Sequence, residues 1–300
     1  MTGQICTSPN LPRRGKAAAT VAIEASILEI VAQRAPITVR GIAYALFTRG
    51  LIDSMAVGQT AKVSRITTAM REAGRLDWTQ IVDGTRTVEK TSVWRDPGEI
   101  INAAVRGYRR DAWQDQPTRV EVWCEKSTVA GVLAPVLDEY GVAFRVMKGF
   151  GSYTALRKAA EDSHDTDDDK DCHVLYLGDW DPSGLYMSEI DIPARLARYG
   201  SRWSFERIAL ERGDLATLPS FPTDTKVMDG RHAWFVTHTT ANPLESWELD
   251  ALDPNHLRER VASRIAQFIE PGAWEQSLRI QTAEVESMRK FQRAWKAVQS

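Results

Sequence analysis

The sequence has few cysteines, no long apolar run and almost no net charge. Its three cysteines, Cys6, Cys124 and Cys172, have neither disulfide-framework nor zinc-ligand spacing, so they read as reduced, structural thiols. No apolar stretch approaches the length of a membrane span, which excludes a helical membrane protein. The opening MTGQICTSPNLPRRGKAAAT lacks the apolar core of a signal peptide. Residues 1–17 therefore read as a flexible lead-in, and the expected location is cytoplasmic, away from membranes. There is no internal repeat, and the five histidines show no paired ligand spacing. A formal charge of −2 does not advertise a nucleic-acid binder.

What is present is an ordinary globular composition, 43% hydrophobic and 26% charged over 300 residues, enough for one large core or two modest ones. The charge is unevenly placed. Residues 1–119 carry 17 Lys and Arg against 11 Asp and Glu, whereas the remainder carries 21 against 29. A basic front suits phosphates and an acidic back suits cations, although both patterns also fit plain solvated surfaces.

The front unit, residues 18–95, reads as three helices and a hairpin. Ile23, Ile27, Ile30 and Val31 form one stripe of a helix that Pro36 ends. Thr38 caps a second helix, Val39 to Arg49, stopped by Gly50, and a third runs from Gln59 to Glu72 before Gly74. Leu76 to Val82, the Asp83-Gly84 turn and Thr85 to Val93 follow as a hairpin. Three helices and a hairpin is the order of a winged helix. Residues 96–118 read as a linking helix and linker. The helix is opened by the Asp96-Pro97-Gly98-Glu99 capping box and runs to about Trp113. Residues 119–254 alternate strand and helix: strands Arg119–Cys124, Val142–Met147, His173–Leu177 and Trp203–Ala209, with helices Thr128–Tyr140, Tyr153–Ala160 and Gly184–Tyr199, the last broken near Pro193. This is the pattern of an α/β domain with a mainly parallel sheet. The acidic run at residues 162–171 reads as a solvated loop. Residues 255–300 read as two C-terminal helices separated by Pro271-Gly272.

In a parallel sheet, chemistry sits beyond the carboxyl ends of the strands. Glu125 ends the first predicted strand, and Asp179 and Asp181 follow the third. If that strand continues, the two aspartates share a side and the three acids converge. Oxygen donors of this kind suit Mg²⁺ together with a substrate phosphate. Lys126 adds a donor beside Glu125, and Pro182 and Gly184 lead into a helix whose N-terminus favours phosphate.

Read together, VEVWCEKSTVAGVL and VLYLGDWDPSGLYM resemble a Toprim domain, specifically that of the A-type chain of topoisomerase VI and the meiotic break-forming transesterases. MKGFGSYTALRK, residues 147–158, resembles the segment between the two acidic motifs in that group. The resemblance covers roughly residues 36–250 and is similar in scale to small homologues from bacteria, plasmids and phages. It implies that Glu125, Asp179 and Asp181 hold Mg²⁺ and that Lys148 and Arg157 meet DNA phosphates.

The resemblance extends to VRGIAYALFTRGLID. There it implies that Arg40 and Tyr44, on one helix face at i and i+4, act on DNA, with Tyr44 as the nucleophile. The family's acidic residue after the arginine is Gly41 here, and its second aromatic is Ala43. The family pattern also implies a homodimer on double-stranded DNA, with the tyrosine of one protomer facing the metal site of the other, and a separate ATP-hydrolysing partner chain. Lys226, Asp229, Arg231, Glu248 and Asp250 lie farther along the chain as a supporting layer of the site or a DNA ledge.

Three functions follow as expectations. The first is a topoisomerase VI A-like transesterase that cuts double-stranded DNA through Tyr44. The second is a Toprim nuclease using metal-activated water, with Tyr44 structural. The third is a non-catalytic DNA-binding component of a larger assembly.

Overall fold

The computed structural model describes residues 18–82, 93–147, 153–164, 170–222 and 230–299. The lead-in 1–17, the turn and most of the return strand of the predicted hairpin, Lys148, the centre of the acidic loop, Lys226 and Asp229 all lie outside the described residues.

Helix α1 (Ala18–Arg34) buries the predicted stripe, with Ile27 and Ile30 wholly inaccessible. Each such side chain contributes roughly 1.5–3 kcal/mol. A two-residue strand β1 (Ile37–Thr38) follows, then α2 (Val39–Thr48) and α3 (Val57–Glu72). The Thr38 hydroxyl accepts the Gly41 N–H at 2.9 Å, as its capping position demands. These helices close over one core that includes Ile37, Ile42, Leu46, Val63 and Met70. The predicted first strand of the hairpin is mostly absent. Asp77 accepts the Thr79 N–H at 2.8 Å and turns Trp78–Gln80 into a 3₁₀ helix, leaving β2 (Ile81–Val82) to pair in parallel with β1.

Helix α4 (Pro97–Gly107) opens on Asp96, whose carboxylate accepts the Glu99 N–H at 2.9 Å. Glu99 reaches back to the Arg95 N–H rather than to that of Asp96. The helix also stops at Gly107, short of the predicted Trp113, which instead sits in a separate 3₁₀ turn, Ala112–Asp115.

The second unit is a mixed α/β layer structure around a four-stranded parallel sheet. Its elements are β3 (Thr118–Cys124), α5 (Thr128–Tyr140), β4 (Ala143–Val146), α6 (Tyr153–Asp162) and β5 (Asp171–Leu177), then α7 (Pro182–Tyr186), α8 (Ile192–Arg198) and β6 (Trp203–Ala209). A π-helical turn, Met187–Asp191, joins α7 to α8. Pro193 has no N–H to offer the preceding turn, and the wider turn absorbs that loss. The spatial order is β4-β3-β5-β6. Side chains alternate as a pleated strand requires. Val120, Val122 and Cys124 join Leu175 and Leu177 in the core with α5. Trp123, Val174 and Tyr176 join the core with α6 and α8.

After β6 come β7 (Phe221–Pro222), α9 (His232–His238), β8 (Glu245–Ser246), α10 (Pro254–Ala266) and α11 (Pro271–Gln299). Pro271 and Gly272 form the first turn of α11 instead of separating two helices. No described helix is long and apolar enough to cross a membrane.

Candidate functional site

The chain runs from β3 outward to β4 on one side and from β5 outward to β6 on the other. Helices therefore leave the adjacent ends of β3 and β5 toward opposite faces, and a crevice opens between them. Glu125 and Asp179 sit at those two ends. The Asp179 N–H donates to Glu125 Oε1 at 3.1 Å.

A second segment completes the site. Trp180 and Trp247 exchange backbone hydrogen bonds, both at 2.9 Å, as an isolated antiparallel bridge. That bridge lays Glu248, Leu249 and Asp250 beside the Asp179 loop. The Leu249 N–H donates to Asp179 Oδ1 at 2.7 Å. Lys126 Nζ then lies 2.8 Å from Asp179 Oδ1, 2.9 Å from Asp250 Oδ2 and 3.9 Å from Glu248 Oε2. Glu248 and Asp250, expected as a supporting layer of the site or a DNA ledge, line the cleft directly.

The front unit closes the other side. The Thr38 hydroxyl donates to Asp250 Oδ1 at 3.0 Å, and Arg40 donates through Nε and Nη2 to both oxygens of Glu248. Gly131 of α5 lies so close to Val82 that a Cβ there would sit 2.6 Å from a valine methyl. Thr38, Arg40, Val82, Lys126, Asp179, Glu248 and Asp250 together line a cleft of about 530 Å³.

Asp181 behaves differently from the sequence expectation. Strand β5 ends at Leu177, and Gly178 makes its last backbone bonds to Ala209 and Leu210 at the end of β6. The alternation expected to align Asp179 with Asp181 therefore stops before either residue. Asp181 is buried, and its Oδ1 accepts the Gly184 N–H at 2.7 Å as the N-cap of α7. The start of α7 is thus occupied by the chain's own carboxylate, not open to a phosphate. The glycine of the Asp-x-Asp-Pro-x-Gly motif is required by contact: a Cβ on Gly184 would stand 2.4 Å from the Asp179 carbonyl oxygen.

Tyr44 is buried, one turn after Arg40 on α2, with its ring edge-on to Phe221 at 5.7 Å. Arg40 Cζ lies 5.8 Å from the ring centroid. The hydroxyl is inaccessible and has no partner at hydrogen-bonding geometry, although Glu248 is near enough to act on it. Arg157 is exposed on α6 and pairs with Glu161 at 3.0 Å, and among the described residues it does not line the cleft. Arg231 lies over the Tyr186 ring at 5.8 Å.

The electrostatics follow from this crowding. Burial, and next the Asp179 charge, push the Glu125 carboxyl up to about 8, with Asp181 adding to the rise. Burial opposes the Lys126 ammonium, but Asp179, Asp250 and Glu248 outweigh it and hold its pKa above the ordinary lysine value. Burial and Glu248 hold the Tyr44 phenol far above its usual range, only partly offset by Arg40 and Lys126. Among the described residues no three His, Cys, Asp or Glu side chains are arranged as a metal cage, and the Lys126 ammonium stands among the acids. The donor set is nonetheless oxygen-only and carries surplus negative charge around Glu125, which fits a hard divalent cation.

No known family, curated protein or solved structure matches this chain.

Nothing in the sequence singles out Arg207. It reaches from β6 beneath the loop and donates to the Gly178 and Asp179 carbonyls, fixing the loop from below. A lone arginine late in a strand carries no sequence signal for that role.

Proposed function

We propose that this chain cleaves double-stranded DNA with Mg²⁺ at the site formed by Glu125, Lys126, Asp179, Glu248 and Asp250. The observation that carries the reading is the convergence of Asp179, Glu248 and Asp250 on Lys126 at the crevice between β3 and β5, with Glu125 accepting the Asp179 N–H and Arg40 of the front unit closing the far side. In this reading the sheet unit is a Toprim domain and residues 18–95 a winged helix. The parallel sheet and the three helices over their own core support that assignment.

Magnesium, when bound, polarises a phosphoryl oxygen and offsets the charge that develops there. Glu125 and Asp179 supply carboxylate oxygens. Lys126 has three N–H donors; two are committed to Asp179 and Asp250, and the third is available to a phosphate. Arg40 presents its guanidinium edge to a carboxylate in the cleft, a geometry that phosphate oxygens also satisfy.

In transesterification, Tyr44 Oη gives up its proton and bonds to phosphorus, the bond from phosphorus to the deoxyribose oxygen breaks, that oxygen leaves as a hydroxyl with a proton in exchange, and a phosphotyrosine joins protein to DNA. Its place one turn from Arg40 supports this route. Two copies of the chain acting across a two-fold axis give a double-strand break. A second reading, hydrolysis by water, is favoured by the buried, unpartnered Tyr44 hydroxyl, which has to be uncovered before it can attack. The deciding experiment incubates labelled duplex with protein and Mg²⁺, then stops the reaction in denaturant. Labelled DNA travelling with protein supports transesterification, and cut DNA with free ends supports hydrolysis. Uncut DNA under all metal conditions overturns the proposal.

A further inference from the structure

The chain carries a formal charge of −2, yet one groove away from the acid cleft is strongly basic. Helices α4 and α11 pack side by side, and the trough between them, about 730 Å³, is walled by Arg106, Arg109, Arg289, Arg293 and Lys296. Its floor is Val105 and Val285, and no Asp or Glu lines it. Among the described residues none of the five cations forms a salt bridge. Glu284 accepts from Tyr108 and Arg110, and Glu99 pairs with Arg95 and acts on Arg106 only at longer range. Arg289, Arg293 and Lys296 recur at helical spacing, so they form one face of α11 rather than a scatter.

Like charges of this density repel one another and gain nothing from the fold itself. A partner that brings negative charge resolves the repulsion. From Val285 to Lys296 the helix rises ~16 Å, at about 1.5 Å per residue. Duplex DNA presents one phosphate charge about every 1.7 Å of its axis, so a face of that length meets several phosphates. Four of the five cations are arginines, whose planar fork matches phosphate oxygens bidentately. The trough opens between two helices that run side by side, so its cations face outward to a polyanion laid along them.

We infer that the α4–α11 trough is a second DNA-binding surface, which grips the sugar-phosphate backbone of the duplex outside the segment being cut. It rests on the DNA-cleaving reading above and adds a contact that the front unit and the acid cleft do not supply. Such contacts position the duplex and carry no base recognition.

The test is fluorescence anisotropy of a labelled DNA duplex of arbitrary sequence, in EDTA so that no cleavage intervenes, over a range of KCl concentrations. The wild type is compared with R289Q/R293Q/K296Q and, on the opposite wall, with R106Q/R109Q. Circular dichroism and thermal melting check each fold. Both variants are expected to lose at least tenfold in affinity near physiological salt. The slope of log affinity against log salt should flatten by about 0.9 for each phosphate that is no longer neutralised. If the wild type binds and both folded variants bind equally well with the same slope, the trough is not a DNA surface and the cleavage reading stands. If the variants keep DNA affinity but lose binding to a poly-glutamate peptide, the trough serves an acidic protein segment and the inference is overturned. If the wild type binds no duplex at any salt concentration, the cleavage reading falls and this inference with it.

Discussion

The acid cleft and the α4–α11 trough use the same residue types in opposite ways. In the cleft each cation is satisfied from within: Arg40 by Glu248, and Lys126 by Asp179 and Asp250. Arg258, on the flank, donates to the carbonyls of Arg34, Ala35, Pro36 and Val132 and to Asn255 Oδ1. In the trough, Arg289, Arg293 and Lys296 form no salt bridge among the described residues, and Arg106 meets Glu99 only at longer range. Solvent access accounts for Lys126: its side chain is largely buried, and a buried charge left unpaired costs several kcal/mol, so it is kept only with acids beside it. Arg40 is exposed, and its pairing follows from the nearness of Glu248 rather than from burial. An exposed charge tolerates solitude because water solvates it, and it is then available to a partner.

The comparison breaks most visibly if the cleft is not catalytic. Asp179→Asn or Glu125→Gln is expected to lower Mg²⁺-dependent cleavage on the order of a thousandfold. Anisotropy should show DNA affinity nearly unchanged, since phosphate contacts elsewhere supply it. Cleavage at the wild-type rate by either variant removes the cleft from the chemistry.

Arg258→Ala comes next. It strands four carbonyls that join α1, the following turn and α5 to α10, and is expected to cost about 2–4 kcal/mol. A denaturant midpoint equal to that of the wild type shows that Arg258 does not hold the front unit to the sheet.

Tyr44→Phe separates stability from chemistry. The hydroxyl has no partner at hydrogen-bonding geometry, so its removal is expected to leave stability unchanged or raise it by about 1 kcal/mol. Loss of cleavage together with loss of the covalent adduct identifies the nucleophile. Cutting at the wild-type rate assigns the chemistry to water.

The smallest effect concerns pH. In the folded chain Glu125 holds its proton up to about pH 8. Mg²⁺ has to displace that proton, so calorimetric affinity should strengthen as the pH rises from 6 toward 8. In metal-free protein the same shift acts against the fold. Between about 4.5 and about 8 the native state binds more protons than the unfolded chain, so stability falls as pH rises through that window. Glu125→Gln should remove both slopes.

Much of this is legible in the sequence. Helix α5 and strand β6 have their predicted ends, because Gly141 closes one and the alternation of apolar residues bounds the other. Glu125, Lys126 and Asp179 stand out as residues that end strands of a parallel sheet. The expectation for Asp181 extends the strand period past Leu177, where strand β5 ends. Glu248 and Asp250 carry little signal because the Trp180–Trp247 bridge that delivers them joins segments far apart in sequence, and no local pattern encodes such a pairing. The 3₁₀ turn at Trp78–Gln80 is masked by its extended-looking neighbours, although Asp77 is in place to cap it.

The Arg40–Glu248 pair has one more consequence. Glu248 already plays the part of an anionic guest for Arg40. A DNA phosphate that reaches this arginine does not fill an empty seat; it evicts a tenant. The net gain is the difference between two similar ion pairs, so Arg40 adds little to how tightly the duplex is held. The displaced Glu248 carboxylate is set loose beside Lys126, Asp179 and Asp250 in the same event. If DNA is the substrate, its arrival and the release of Glu248 become a single exchange, and the acids of the cleft lose their Arg40 counterion at the moment a phosphate takes it.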